Sequence, residues 1–314
     1  MSRWFLGVDG GQSSTSALVG DESGRVLGVG HAGPSHYLGA DENHARFNDA
    51  IGGAVRSASA AAGMTEAHFA AACLGLSGGS AGKEALVREI VTAEHYSITN
   101  DAVIALLGAT AGDPGVIAIA GTGSIAYGRN EEGRTARAGG WGYMFGDEGG
   151  AFDLVRQSVR AALRHEEGWG HSTALREALL QATGAVSVNG LLHLFYTPAY
   201  PRAKIASYAQ LVDEAATNGD ATAREILHTA AQALATIVAA VRRQLFDRGK
   251  PARTSYIGGV FRSAILRERF AKLVELESGA PVRPPAYGPA AGALIAAYRL
   301  AGLGVHPSNA PPGI

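Results

Sequence analysis

The chain has 314 residues, of which 46% are hydrophobic and 18% charged, and its formal net charge is −1. That length fits two domains, the apolar share suffices for real cores, and the near-neutral balance gives no electrostatic case for nucleic acid or acidic membranes. The single cysteine, Cys73, lies in the apolar run Phe69-Ala-Ala-Ala-Cys-Leu; it reads as a core residue and excludes both an internal disulfide framework and a Cys-x-x-Cys site.

Residues 4–9 alternate as a strand, and 14–20 with 25–30 read as a hairpin around Asp21-Glu-Ser-Gly24. A helix is expected over 41–62, an apolar strand over 69–76, a helix over 83–93 and a short strand at Tyr96-Ser-Ile-Thr99. An alanine-rich helix then follows Asn100-Asp101. Asp113-Pro114-Gly115 marks a domain boundary, giving an N-terminal domain of 1–112 and a second of 113–287. The second domain opens on a strand from Val116 that pairs through Ile125–Gly128, turning at Asn130-Glu-Glu-Gly133. From about 147 to 247 the pattern is helical, with breaks near Gly168, Pro198 and Gly219. A strand at Ser255–Ile257, a helix over 263–276, a short strand near Val282 and a last helix over about 289–301 complete the chain. That last helix is a candidate to return to the first domain. The tail from His306 is expected to be loose. The start, Met-Ser-Arg-Trp-Phe-Leu, lacks the length and flanks of a signal peptide. No run reaches the roughly 18 apolar residues of a membrane span. The expectation is a cytoplasmic protein without membrane or nucleic-acid partners.

Two strand-then-glycine turns carry the chemistry. Trp4-Phe-Leu-Gly-Val-Asp9 runs into Gly10-Gly11-Gln12-Ser13, and Gly115-Val-Ile-Ala-Ile-Ala runs into Gly121-Thr122-Gly123-Ser124. Glycines let backbone N–H groups approach an anion, and hydroxyls add donors. An aspartate beside such a turn is placed to hold Mg²⁺ through water, the role expected of Asp9. Ser255-Tyr-Ile-Gly258-Gly259 is a strand ending on bare backbone, fit for a flat adenine or ribose. Asp101 is a carboxylate at a strand end; it also suits a helix N-cap.

Three look-alikes fail. Gly28-Val-Gly30-His-Ala-Gly33 fits the dinucleotide pattern, but Pro34 follows and no helix opens there, so the glycines are expected to serve a strand end. Ser77-Gly78-Gly79-Ser-Ala-Gly82-Lys83-Glu84 lacks the first glycine and the Mg²⁺-binding hydroxyl of a P-loop. His165-Glu-Glu lacks the second histidine of a zinc helix.

The order of these turns resembles the ASKHA phosphotransferases, and within them the N-acetylglucosamine kinase-like members of the BadF/BadG/BcrA/BcrD ATPase family. Three further segments carry the likeness: Gly139-Gly140-Trp141-Gly-Tyr-Met-Phe-Gly-Asp147-Glu148-Gly-Gly150, Ile98-Thr-Asn-Asp101-Ala, and Tyr287-Gly-Pro-Ala-Ala-Gly292. The resemblance implies an α/β fold of two ribonuclease-H-like, actin/hexokinase-like lobes with an interdomain cleft, the second lobe carrying a helical insertion. It implies ATP and Mg²⁺ as cofactors, an amino sugar as partner, and a homodimer. By the same resemblance Asp101 is the base and a substrate contact, and the ATP and phosphate contacts are Asp9, Gly10, Gly11, Ser13, Gly121, Thr122, Gly123, Gly258, Gly259 and Ser263. Sugar contacts fall to Ser35, His36, Ser124, Gly139, Gly140, Trp141 and Asp147. Trp141 either offers a ring face or packs inward, and Glu148 either binds sugar or shapes the loop. Ser35 and Ile125 stand where the family's animal kinases carry asparagines, which leaves glucosamine and N-acetylmuramic acid open beside N-acetylglucosamine. Two rival readings are a dehydratase-activating ATPase, whose dimer-bridging iron–sulfur cluster needs two cysteines per subunit, and an actin- or chaperone-type module.

Overall fold

The computed structural model describes residues 3–35, 41–78, 82–247, 249–250 and 252–314, with backbone only for 41–43. The expected sugar contact His36 and the turn residue Gly79 lie outside the described residues. The chain divides into two compact units, 1–114 with 284–314, and 115–283.

The first unit is built on a five-stranded sheet in the order β3-β2-β1-β4-β5. Its strands are β1 (Trp4–Gly10), β2 (Thr15–Asp21), β3 (Val26–Ala32), β4 (His68–Leu76) and β5 (Thr92–Asn100). β1 to β3 form an antiparallel meander, while β4 and β5 run parallel to β1. The hairpin turn is set by Asp21, whose Oδ1 accepts the N–H of Ser23 at 2.9 Å and of Arg25 at 3.1 Å. Helix α1 (Asp41–Ala61) covers one face, burying Phe47, Ile51 and Ala54 with Leu6, Val8 and Leu74. Short helix α2 (Glu84–Ile90) also packs on that face. Helices α3 (Asp101–Thr110) and α11 (Pro289–Leu300) cover the other, where Leu294 and Tyr298 meet Phe5 and Leu18.

The helix expected to reach residue 93 stops at Ile90, because Val91 is extended and the strand begins at Thr92. Gly28 and Gly30 are not a strand end. They lie within β3, and their missing side chains let the α1 backbone at Ala54 and Ala58 settle onto the strand. The tail is not loose either. Ser308 donates its N–H to Gly24 O at 2.8 Å and accepts that of Val26 at 3.0 Å, while Ala310 and Ile314 pack on the α11 cluster.

The second unit repeats the order with a four-stranded sheet, β8-β7-β6-β9. Its strands are β6 (Gly115–Ala120), β7 (Ser124–Arg129), β8 (Thr135–Gly139) and β9 (Arg253–Ile257), the last parallel to β6. The strand expected near Val282 is a single bridge to Thr254. Helices α8 (Gln210–Thr217), α9 (Ala221–Leu245) and α10 (Ala264–Ser278) contribute to the cluster packed with this sheet. Helices α4 (Ala151–Glu166), α5 (Leu175–Thr183), α6 (Val188–Phe195) and α7 (Arg202–Ser207) bury their own cluster around Val155, Leu179 and Leu191. Among the described residues no single helix is long and apolar enough to cross a membrane; α5 and α6 pass only as a pair bent by 55°.

Candidate functional site

In the first unit the parallel strands β1, β4 and β5 end together, and the chemistry collects there. Asp9, next to last in β1, lies opposite Gly75 of β4. Burial pushes its carboxyl up to about 7, and the negative charge of Asp101 adds to the rise. Asp101 follows β5 as the first residue of α3. The N-cap is Asn100, which accepts the Val103 N–H at 3.0 Å, so the capping alternative for Asp101 falls away. Asp101 is exposed, yet both its oxygens are held: Oδ1 accepts the Ala102 N–H at 2.9 Å, and Oδ2 accepts the Ser77 hydroxyl at 2.8 Å.

Ser77 ties the site together. Its N–H donates to Gly10 O at 3.0 Å, which fastens the end of β4 to the first turn. Its carbonyl accepts Lys83 Nζ at 2.8 Å. Burial lowers the lysine's pKa, and Asp101's charge partly offsets this. Ser77 and Lys83 had appeared in the sequence only as parts of a failed P-loop.

The first turn departs from expectation in one respect. Gly11 was expected to offer its N–H to phosphate, but that N–H donates to Ser14 O at 3.0 Å. Gly11 O accepts both the N–H of Ser35 at 3.1 Å and its hydroxyl at 3.2 Å, so buried Ser35 buttresses the turn. Gly10 is boxed in by Leu76 and Ile51, and Ser13 is exposed at the turn.

In the second unit the turn after β6 is braced by a helix start. Ala151 and Phe152, opening α4, donate to the carbonyls of Gly121 at 2.8 Å and Thr122 at 3.1 Å. Gly121's N–H closes the turn onto Gly123 O at 3.0 Å, so it too is no phosphate donor here. Gly258 sits against this turn at φ +114°, where only glycine is comfortable and a Cβ would collide with Ala120 O. Gly259 and Ser263 line a cavity of about 280 Å³ together with Gly121, Ala206 and Asp213. Ser263 caps α10 by accepting the Leu266 N–H at 3.2 Å, and its hydroxyl donates to Asp213. The cavity is a recess whose wall combines apolar side chains (Leu154, Leu227, Val260) with glycine backbone and polar groups (Gln210, Asp213, Ser263).

The glycine-rich loop 139–150 is stapled to β7. Gly140 N–H donates to Ser124 O at 2.9 Å, and the Ser124 hydroxyl donates to Glu148 O at 2.7 Å. Ser124, expected to contact sugar, therefore uses its hydroxyl proton to set the loop. Glu148 shapes the loop through its carbonyl while its side chain is exposed. Asp147 is buried at φ +65°, and its carboxylate pairs with Arg202, a partner the sequence reading missed. Gly139 precedes this segment at φ +78°. Trp141 is exposed, with the Arg137 guanidinium 4.6 Å from its ring centroid, so the inward-packing alternative does not hold. Ile125 packs over Gly140 and offers no polar group.

Cys73 is wholly buried, and desolvation pushes its thiol up to about 12, which suits a core residue and not a cluster ligand.

Two sheets of this order, each ending its first strand in a glycine turn, define the actin/hexokinase-like α/β class. Residues 6–297 match the BadF/BadG/BcrA/BcrD ATPase family. An N-acetylmuramic acid/N-acetylglucosamine kinase of Clostridium acetobutylicum is 30% identical over 87% of this chain and 91% of its own length. An N-acetyl-D-glucosamine kinase of Dictyostelium discoideum is 32% identical over 86% and 89%. A crystal structure from Chromobacterium violaceum, provisionally assigned as an N-acetylglucosamine kinase, superposes with a TM-score of 0.76 at 26% identity, covering 93% of this chain and 98% of that one. The chain belongs to the BadF/BadG/BcrA/BcrD ATPase family.

Proposed function

We propose that this protein transfers the γ-phosphoryl group of ATP to a hydroxyl of an amino sugar: N-acetylglucosamine, or a relative such as glucosamine or N-acetylmuramic acid. The observation that carries the reading is Asp101, an exposed carboxylate clamped on both oxygens at a strand end, beside a second carboxylate whose charge is disfavoured where it stands. A clamped carboxylate is oriented for proton transfer, and general-base assistance of this kind typically contributes about 10²–10⁴ in rate.

Asp101 takes the proton of the sugar hydroxyl. The sugar oxygen bonds to the γ-phosphorus, the β–γ bridging P–O bond breaks, and its electron pair leaves with ADP. The turns at Asp9–Ser13 and Gly121–Ser124 serve the phosphates, and the recess at Gly259 and Ser263 serves the nucleoside. Loop 139–150 serves the sugar.

Asp9 fits a divalent cation. Its pKa is raised first by burial and then by the charge of Asp101, and a cation alongside would offset both. Among the described residues no three His, Cys, Asp or Glu side chains converge on one point. That suits Mg²⁺, which keeps several waters and takes phosphate oxygens as ligands. When bound, Mg²⁺ would neutralise the phosphate charge.

Ser35 and Ile125 offer no amide to an N-acetyl group, which favours tolerance at that substituent. The test is a panel of amino sugars with ATP and Mg²⁺, read by ADP release, on wild type and Asp101→Asn. The expected outcome is turnover on at least one amino sugar, lowered at least about 10²-fold by the substitution with ATP binding intact. No sugar-dependent ADP release would end the reading, and near-wild-type turnover of the variant would remove Asp101 as base.

A further inference from the structure

Arg202 opens α7 directly after Pro201, so its backbone is fixed by the start of a helix. Its guanidinium pairs with the Asp147 carboxylate and lies 5.3 Å from the Tyr143 ring centroid and 5.9 Å from that of Phe152. The ion pair reaches the turn after β6 together: a Cβ on Gly123 would meet the Asp147 carboxylate first and would stand 2.8 Å from Arg202 Nη2. Nε is buried and has no hydrogen-bond partner. The side chain is still 32% exposed, against 8% for Asp147. A cation is therefore held at the glycine turn by one carboxylate and two rings, with donor capacity beyond what Asp147 uses.

We propose that Arg202 contacts the terminal phosphoryl group of the nucleotide bound at Gly121–Gly123, which makes it a catalytic residue of this reaction. This rests on the kinase reading above. A guanidinium presents planar paired donors suited to phosphate oxygens, and charge placed where it develops in the transition state is the largest contribution to phosphoryl transfer. The pairing with Asp147 gives the contact a second consequence. A phosphoryl group drawing the guanidinium toward the turn loosens its hold on Asp147 and leaves that carboxylate for sugar hydroxyls. Nucleotide and sugar binding are thereby coupled through one ion pair.

The test is calorimetric binding of ADP and of a non-hydrolysable ATP analogue, each with Mg²⁺ and without sugar, to wild type, Arg202→Met and Arg202→Lys. Wild type is expected to favour the triphosphate. Arg202→Met is expected to lose that preference by tenfold or more while its ADP affinity stays within about twofold. Arg202→Lys, which keeps the charge but not the paired donors, is expected to fall between and guards against a misfolded methionine variant. In the sugar assay kcat of Arg202→Met should fall about 10²–10³-fold, with a smaller change in sugar KM. A methionine variant that keeps the triphosphate preference, or a wild type that shows none, overturns the proposal. Because binding is read without sugar, failure of sugar-dependent turnover would sink the kinase reading by a separate measurement.

Discussion

Asp9 carries a cost that function explains. Its carboxyl is pushed up to about 7 in the fold, well above the usual carboxylate range, because burial and the charge of Asp101 both oppose ionisation. The unfolded chain releases this proton from about pH 4 upward, while the folded chain keeps it to near pH 7. Between those values the folded state binds more protons, so this group's contribution to stability falls as pH rises and is level above about 7. Asp9→Asn removes the penalty. Thermal melts should show the variant gaining over wild type from pH 4 to pH 7, by at least about 1 kcal/mol at pH 8, while sugar phosphorylation collapses. A variant no more stable than wild type at pH 8 would show that the charge is well accommodated. Asp9 and Asp101 were legible in the sequence because each ends a strand beside turn-forming residues. Ser77 and Arg202 were not, because their partners stand 24 and 55 residues away and no local spacing marks such pairs. The turns were legible as glycine turns, but which N–H groups close them on themselves depends on backbone angles that residue identity does not set.

At the level of elements, α1 lies on β3 at a distance only glycine permits. A Cβ on Gly30 would collide with Ala54 O and come within 2.5 Å of Ala58 N, both rigid helix backbone. Gly30→Ala should therefore lift the helix from the strand and cost about 2–3 kcal/mol in urea unfolding. A loss under about 0.5 kcal/mol would mean that α1 shifts without consequence. The pair Gly28 and Gly30 carried the dinucleotide pattern, and the sequence correctly rejected it, yet the structural reason is close packing and not strand termination. The alternation of strand and helix was readable throughout because apolar spacing encodes it. β5 was under-read to Tyr96–Thr99 because Thr92, Glu94 and His95 face outward and leave no apolar alternation to see. The tail was misread for a related reason: His306-Pro-Ser-Asn looks like loop, and its anchoring is by backbone hydrogen bonds to Gly24 and Val26, which composition does not reveal.

For the whole molecule, the order of the chain sets the terms of folding. The second unit is one continuous segment, 115–283, whereas the first is assembled from 1–114 and 284–314. Half of the buried residues in one of the first unit's two core clusters come from α11, among them Leu294 and Tyr298. Burying each large side chain of this kind is worth roughly 1.5–3 kcal/mol, so removing the whole helix takes away a sum comparable to the roughly 5–15 kcal/mol that holds a domain folded. Tyr298 also packs against Phe5, with ring centroids 4.9 Å apart and the rings tilted by 58°, so its loss strips a packing contact from β1, the strand that carries Asp9. Residues 115–283 expressed alone should melt cooperatively and give dispersed amide NMR signals, since both of that unit's clusters lie within the segment. Residues 1–114 alone should show neither property and should regain both when a 284–314 peptide is added in trans. A cooperative transition for 1–114 without the peptide would mean that α1 and its cluster suffice. The last segment of the chain would then be an accessory to the site and not its foundation.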